Sequence, residues 1–338
     1  MIGLSRQVLV VGLCGWLVFI GQAIGAEETA AQESTSESRP KFDVAIGTWI
    51  STGDTRWAHN ASSVPGLGNP TSKLTYKDVG TSVIELTAKA WLTPRWFGRF
   101  NVGYAGIGGG RLTDDDYGSS GGQRLFSRTT SDLSGDSLWY LNVDSGFRIA
   151  EYPNHRGWLE VFGGYQFWHT KYEATGLNQV ACDPSAIPSL PSCAPVGTIS
   201  NQGQTVITNT TNWHSIRVGA STEYRLTRRF SLVGTAALIP LSIVDNKDIH
   251  HLRTSGPTGL QQDPSISMLG WGVGADADVG LRLRLLESLF LNVGYRVWWN
   301  HAVDGVVTFH GLTASSEYPL TQFDSLRHGL TAGLNFTF

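Results

Sequence analysis

The last segment of the chain alternates strictly between apolar and polar residues. From residue 330 to the final Phe338, Leu, Ala or Phe stands at every second position, and Thr, Gly or Asn stands between them. Successive side chains of a β-strand point to opposite faces, so this pattern predicts a strand with one apolar and one polar face. The same alternation of apolar and polar residues recurs over 269–283, where Asp276, Asp278 and Arg282 occupy the polar face. Charges of both signs opposite an apolar face indicate a strand that lies between lipid and a polar lumen.

The alternating segments and their spacing predict ten strands. The connections between them are alternately short, as at 92–95 and 286–288, and long. Bacterial outer-membrane barrels combine an even number of strands with short periplasmic turns and long outer loops. The fold class that we predict is therefore all-β, a ten-stranded antiparallel transmembrane β-barrel of the bacterial outer membrane. The predicted strands are 42–51, 81–92, 97–106, 136–150, 157–172, 212–226, 229–243, 267–285, 288–300 and 326–338, and the predicted outer loops are 52–80, 107–135, 173–211, 244–266 and 301–324.

Composition narrows the class of protein further. A soluble β-sandwich would also alternate, but 40 glycines, 12 tryptophans and the terminal Phe338 fit barrel strands with aromatic girdles. The chain after its first 26 residues has no run of 18 apolar residues, which argues against a helical membrane bundle. The formal net charge of −3 gives no reason to expect a nucleic-acid partner.

The amino-terminal segment has the features of a secretory signal. Arg6 precedes an apolar stretch at 8–20, and small residues follow up to Ala26. The apolar stretch is short for a membrane helix, which needs about 20 such residues. We predict a signal peptide over 1–26, a periplasmic lead-in over 27–40 and the barrel over 41–338.

Cys182 and Cys193 are the cysteines that remain once the signal is removed. In an exported protein two such cysteines are expected to form one disulfide. No His, Cys or carboxylate cluster has the spacing of metal ligands, so no metal or other cofactor is expected.

Two short polar segments carry the candidate chemistry. Asp114 and Asp116 fall in the predicted second outer loop, and Asp248 and His250 fall in the fourth, so the predicted topology puts all four on the extracellular rim. In an extended segment, residues two apart point the same way, which would present Asp114 with Asp116 and turn Asp115 away. Asp248 could orient His250, and His250 could take a proton from a water molecule that attacks a peptide carbonyl. Acidic loops are also common as solvated surface, and the residue types alone leave that alternative open.

At these motifs the chain resembles the omptin family of outer-membrane proteases. The resemblance spans nearly the whole predicted mature chain, and its motifs are SKLTYK (72–77), GGRLTDDDY (109–117), GYQ (164–166), DIH (248–250) and TAGLNFTF (331–338). It implies a ten-stranded barrel and an endopeptidase whose catalytic residues are Asp114, Asp116, Asp248 and His250. It also implies contact with outer-membrane lipid, dependence on lipopolysaccharide for activity, and peptide or protein substrates.

The chain departs from the family where specificity is concerned. Omptins bind basic residues with two acidic side chains, and here Trp57 and Asn246 stand at those positions, with Asp54 and Asp245 nearby but out of register. An arginine or lysine pocket without a carboxylate loses its main discriminating contact. The family's lipopolysaccharide motif on strand five is reduced to Tyr165, followed at alternate positions by Phe167 and His169.

Two alternatives to a surface endopeptidase remain open. The loss of the specificity acids and the cysteine-bearing outer loop would also suit a non-catalytic barrel that serves as an adhesin, a receptor or a structural protein. A porin is a weaker alternative, because a small barrel with Trp and Arg in its lumen is expected to be filled by side chains.

Overall fold

The computed structural model describes residues 42–118, 124–190, 192–256 and 258–338, and these form a closed antiparallel barrel. Strands that are adjacent along the chain pair with each other, except the third with the fourth, and the first strand closes the ring by pairing with the last. The predicted signal peptide and lead-in lie outside the described residues. The strands of the described part are β1 (Phe42–His59), β2 (Leu67–Trp91), β3 (Trp96–Ala105), β4 (Arg111–Gly118), β5 (Arg124–Glu151), β6 (Gly157–Cys182), β7 (Ile199–Arg225), β8 (Phe230–His250), β9 (Ile266–Arg284), β10 (Leu289–His310) and β11 (Ser315–Thr337).

Strands β3 and β4 share one position in the barrel. Both lie between β2 and β5, and β4 continues where β3 ends. The interruption at 106–110 contains Gly109 and Gly110, whose φ angles of 134° and 150° favour glycine. A Cβ on Gly110 would also lie 2.9 Å from the carbonyl oxygen of Lys77. The ring therefore has ten positions occupied by eleven hydrogen-bonded strands, which confirms the predicted all-β barrel class.

The short turns are confirmed, but the long loops were predicted wrongly. The turns at 92–95, 226–229 and 285–288 are closed by backbone hydrogen bonds such as Leu92 N to Trp96 O at 2.9 Å. At the other end of the barrel, most of the predicted loop residues belong to paired strands, and β1 continues to His59 instead of ending near residue 51. We call these two ends of the barrel the turn end and the loop end.

A band of exposed apolar side chains surrounds the turn-end half of the barrel. It ends near Ile50 on β1 and near Ile243 on β8, and Ile84, Leu281 and Leu334 lie within it. Such a band is the surface that a barrel presents to the hydrocarbon of a membrane. In the described residues, no helix is long and apolar enough to cross a membrane.

The lumen is filled by side chains. Trp298 packs against Trp49, Tyr140 and Trp168, with ring centroids 5.0, 4.7 and 5.8 Å apart. The charges predicted to face inward do so. Asp276 pairs with Arg217 at 3.1 Å, and Asp278 pairs with Arg296 at 2.9 Å. Because buried charges need partners, these pairs make a polar interior compatible with folding.

Candidate active site

The Asp114 side of the site is held by the sheet at the loop end. Asp114 pairs with Leu74 of β2 and Thr129 of β5 in the strand register, and Asp116 pairs with Ser72 and Ser127. Asp114 and Asp116 were predicted to lie in a loop, and they lie instead in strand β4. The strand continues beyond the membrane band because its hydrogen bonds to β2 and β5 do not require lipid on either face. Ser72 Oγ donates to Asp114 Oδ1 at 3.5 Å, the long end of hydrogen-bond distances.

Asp115 faces away from its two neighbours, as strand geometry requires. Its carboxylate accepts hydrogen bonds from Arg128, at 2.9 Å from Nη2, and from the hydroxyl of Tyr117 at 3.2 Å. Asp114 and Asp116 instead line the interior of the barrel mouth. The alternation thus separates one paired carboxylate from two that border open space.

The other half of the site is the end of strand β8. Asp248 is fully buried, and its Oδ1 accepts a hydrogen bond from Asn209 of β7. His250 is 9% exposed, and its Nε2 lies 4.0 Å from Asp248 Oδ2. Neither of these two atoms has a hydrogen-bond partner among the described residues. Both residues were predicted in a loop, and both belong to a strand that ends at His250.

The two halves border one cavity of about 890 Å³ at the loop end, which we call the cleft. Asp114, Asp116 and His250 line it, and Asp248 lies behind His250. His59 and Arg253 line it as well, although the sequence analysis did not single them out. His59 continues the inward face of β1 beyond Trp57, and the two-residue alternation of the strand could have predicted its position. Arg253 lies in a connection whose sequence does not alternate.

Burial shifts the titration of all four predicted residues. It raises the pKa of Asp114 well above its usual range, and the charges of Asp116, Asp115 and Asp248 raise it further. Burial also raises the pKa of Asp116, and it raises that of Asp248 to about 7 against the opposing hydrogen bond from Asn209. The pKa of His250 falls to about 3 through burial and the nearby Arg253 cation. His250 is therefore neutral at pH 7, and one of its ring nitrogens is free to accept a proton.

Such a set can bind and polarise water. Carboxyl groups with raised pKa values and a neutral imidazole around one cavity provide both proton donors and proton acceptors. In the described part of the chain, no three His, Cys, Asp or Glu side chains are grouped as a metal site would require.

The specificity positions carry no acid. Trp57 is 1% exposed, and Asn246 is fully buried and donates from Nδ2 to Thr211 Oγ1 at 2.7 Å. Asp54 does not line the cleft and pairs with Arg56 at 3.0 Å. Asp245 lies on the outward face of β8, between two buried residues. Neither nearby acid therefore replaces the missing carboxylates inside the cleft.

The predicted disulfide is present. Cys182 and Cys193 are bonded and close the connection between β6 and β7, with their Cα atoms 5.7 Å apart. Ile187 and Leu190 of this connection line the cleft, so the disulfide-closed segment forms part of its wall.

A closed antiparallel barrel with an apolar outer band and a filled, charged interior defines this protein as a bacterial outer-membrane β-barrel. The family model described as Pom, Protochlamydia outer membrane protein, matches residues 52–237, and the chain belongs to this family. No curated protein sequence matches the chain.

A solved structure shares the barrel fold. The outer membrane protease OmpT from Escherichia coli superposes with a TM-score of 0.69 at 16% sequence identity, over 91% of this chain and 100% of that chain. At this identity the likeness shows the barrel fold and does not establish membership of the omptin family. The translocator domain of the autotransporter NalP from Neisseria meningitidis has a TM-score of 0.33 at 10% identity, over 99% of this chain and 100% of its own. The outer membrane protein OprG from Pseudomonas aeruginosa also has a TM-score of 0.33 at 10% identity, over 89% of this chain and 97% of its own.

Proposed function

We propose that the protein is an endopeptidase of the bacterial outer membrane whose catalytic residues are Asp114, Asp116, Asp248 and His250. The observation that carries the proposal is the shared cleft, which Asp114, Asp116 and His250 line while Asp248 lies 4.0 Å behind His250. The cleft is open to the outside of the cell, and the substrates are peptides or proteins. The omptin-like motifs at the same positions support this assignment.

The proposed reaction uses water as the nucleophile. His250 Nε2 faces Asp248, so Nδ1 is the nitrogen left to accept a proton from a water molecule that also binds Asp114. The water oxygen attacks the peptide carbonyl carbon, and the proton held on His250 passes to the leaving nitrogen as the C–N bond breaks. Asp248 orients the imidazole and stabilises its protonated form, and the protonated carboxyl of the Asp114–Asp116 pair donates a hydrogen bond to the carbonyl oxygen.

Lipopolysaccharide is proposed as an activating partner on the outer face of β6 and β7. Tyr165 and His214 form a polar pair there at 2.6 Å, next to Phe167 and His169. Phe167 is uncharged and His169 is not a permanent cation, so this surface is a weaker phosphate site than one built from arginines, and we expect activity to rise severalfold on adding lipopolysaccharide rather than to depend on it absolutely.

The test is cleavage of a broad peptide library by the folded protein with lipopolysaccharide. His250→Ala should abolish cleavage and Asp248→Asn should reduce it by at least about 100-fold while the barrel stays folded. His310→Ala is the matched control, because His310 lies at the same end, bonds Ser267 at 2.8 Å and does not line the cleft. If the wild type cleaves no member of the library, the proposal fails.

A non-catalytic barrel is the second candidate function. The 4.0 Å separation of His250 Nε2 from Asp248 Oδ2 favours it, because that distance is too long for a hydrogen bond. In that case the cleft would bind a ligand without cutting it, as an adhesin or receptor does. A structure of the protein with a bound peptide would distinguish the two, since a catalytic pair should close to about 2.8 Å.

A further inference from the structure

The walls of the cleft are largely apolar. On one side lie Leu67, Phe126, Ile187 and Leu190, and on the other lie Phe309 and Leu312. Water is poorly held against such walls, and apolar side chains gain free energy from the area that they bury there. The catalytic residues of the proposed function lie between these walls, so a peptide that reaches them must place side chains against apolar surface.

The wall that bears Ile187 and Leu190 is held rigidly. Asp183 N donates to Phe126 O at 2.8 Å, and Arg124 Nη2 donates to the Asp183 carboxylate at 2.7 Å. Ile187 is 1% exposed and packs with Phe126 and Ala186. Together with the Cys182–Cys193 bond, these contacts fix the wall before any substrate arrives, so little ordering is needed on binding.

The cleft contains a cation, Arg253, together with the carboxyl groups of Asp114 and Asp116, whose raised pKa values favour their uncharged forms. Arg253 lines the cleft, and its Nε and Nη2 donate to Thr258 O at 3.1 and 3.0 Å. Its cation contributes to the lowered pKa values of His59, about 4, and His250, about 3, so its field reaches both sides of the cleft. Among the described residues, no acidic side chain lies within ion-pair distance of Arg253.

We propose that the cleft selects peptides with a large apolar side chain next to the cleaved bond, and that Arg253 excludes lysine and arginine from it. This inference rests on the proposed endopeptidase function for the position of the cleaved bond. The apolar walls supply the attraction and the fixed guanidinium supplies the repulsion, so the specificity differs from one that relies on paired acids.

Cleavage of matched peptides tests the selection. Three fluorogenic peptides should be identical except for the two central residues, Leu-Leu, Arg-Arg or Glu-Glu. We expect kcat/KM for the Leu-Leu peptide to exceed that for the Arg-Arg peptide by at least about 10-fold, the lower end of what a single methylene group contributes in an apolar pocket. Arg253→Gln should raise cleavage of the Arg-Arg peptide at least fivefold, whereas Arg253→Lys, which keeps the charge, should not. Equal or faster cleavage of the Arg-Arg or Glu-Glu peptide by the wild type would overturn the proposal.

A binding measurement separates this inference from the proposed function. The same peptides, labelled for fluorescence polarisation, are titrated with the folded His250→Ala variant. This measurement reports binding alone and does not require that the peptide is cleaved. Tighter binding of Leu-Leu than of Arg-Arg supports the inference even if the wild type cuts nothing, a result that would defeat only the endopeptidase. Binding without preference, or with preference for Arg-Arg, overturns the inference whatever the wild type cleaves. Leu190→Ser, at an exposed side chain that lines the cleft, should weaken Leu-Leu binding and leave the circular dichroism of the barrel unchanged.

Discussion

Replacing Asp248 by Asn is expected to change activity and stability in opposite directions. The carboxylate is fully buried, and its Oδ2 lies 4.0 Å from His250 Nε2. Unit charges at that separation interact by about 4 kcal/mol when the effective dielectric constant is about 20. Since about 1.4 kcal/mol is a factor of ten, the ionised carboxylate strengthens His250 as a base by at most about 1000-fold. We therefore expect Asp248→Asn to lower kcat by about 100- to 1000-fold, within the usual contribution of general-base catalysis.

The stability of the same variant should rise at high pH. Burial raises the pKa of Asp248 from 3.8 to about 7, so the folded protein holds this proton more tightly than the unfolded chain. The resulting stabilisation is complete below the unfolded pKa and is lost as the pH rises through 7, a change of about 4 kcal/mol. The amide of Asn cannot ionise and still offers an oxygen to Asn209. At pH 8 the variant should exceed the wild type in free energy of unfolding by up to about 4 kcal/mol, and at pH 3 the two should agree.

Two assays on one preparation check both halves of this prediction. Urea unfolding in lipid vesicles at pH 3 and pH 8 gives the free energies, and cleavage of the Leu-Leu peptide gives kcat. A variant that keeps its kcat within threefold would refute the role assigned to Asp248. A variant whose stability follows the pH dependence of the wild type would show that Asp248 is not the buried titrating group.

Three further predictions follow from the barrel itself. Because Trp298 and its aromatic neighbours fill the lumen, single-channel recordings in planar bilayers should show no steady conductance, and a constant open level would contradict the packing. Glu85→Gln removes one of the two carboxylates that pair with Arg296, the one at 2.7 Å, and leaves Asp278 at 2.9 Å, so it should lower the free energy of unfolding by about 1.5–3 kcal/mol. Asp78→Asn at an exposed 3.8 Å pair should change it by less than about 1 kcal/mol. Gly110→Ala should displace β4 and reduce cleavage, because its Cβ would lie 2.9 Å from a carbonyl oxygen, whereas Gly98→Ala, which meets nothing within 4 Å, should not.

The sequence pattern predicted the membrane part of the barrel because contact with lipid requires apolar side chains on the outward face there. Between residues 330 and 338 the outward face must be apolar and the inward face polar, so period two is visible. At the loop end water lies outside the barrel, and the outward positions of β1 become Thr52, Asp54 and Arg56. Alternation between apolar and polar residues disappears although the hydrogen-bonded ladder continues, and for that reason the strands were predicted too short.

Some features of the site could be predicted from local strand geometry, and others depend on the closed barrel. The pairing of Asp114 with Asp116 on one face needed only local strand geometry, which the sequence contains. The 4.0 Å approach of Asp248 to His250 follows from β8 alone, but the meeting of β4 with β8 around one cleft depends on closure of the ring. Arg253 could not have been placed from sequence, because its position depends on the fold of the connection between β8 and β9 and on its bonds to Thr258.

Burial of charge separates the lumen from the cleft. In the lumen the buried carboxylates have cations within bonding distance, as Glu160 has Lys89 at 2.6 Å and Asp144 has Arg99 at 2.8 Å. Within the part of the chain that the structure describes, Asp114, Asp116 and Asp248 have no Lys or Arg within 4.0 Å.

An unpaired buried carboxylate lowers stability unless it keeps a proton. Asp248 is fully buried behind His250, and Asp114 and Asp116 are half-buried in the cleft wall with raised pKa values. Perturbed titration of this kind concentrates at functional sites. Charges are paired in the lumen and carboxyl groups are left without a cation partner in the cleft. This contrast within one molecule supports chemistry or ligand binding in the cleft, and it does not depend on resemblance to any other protein.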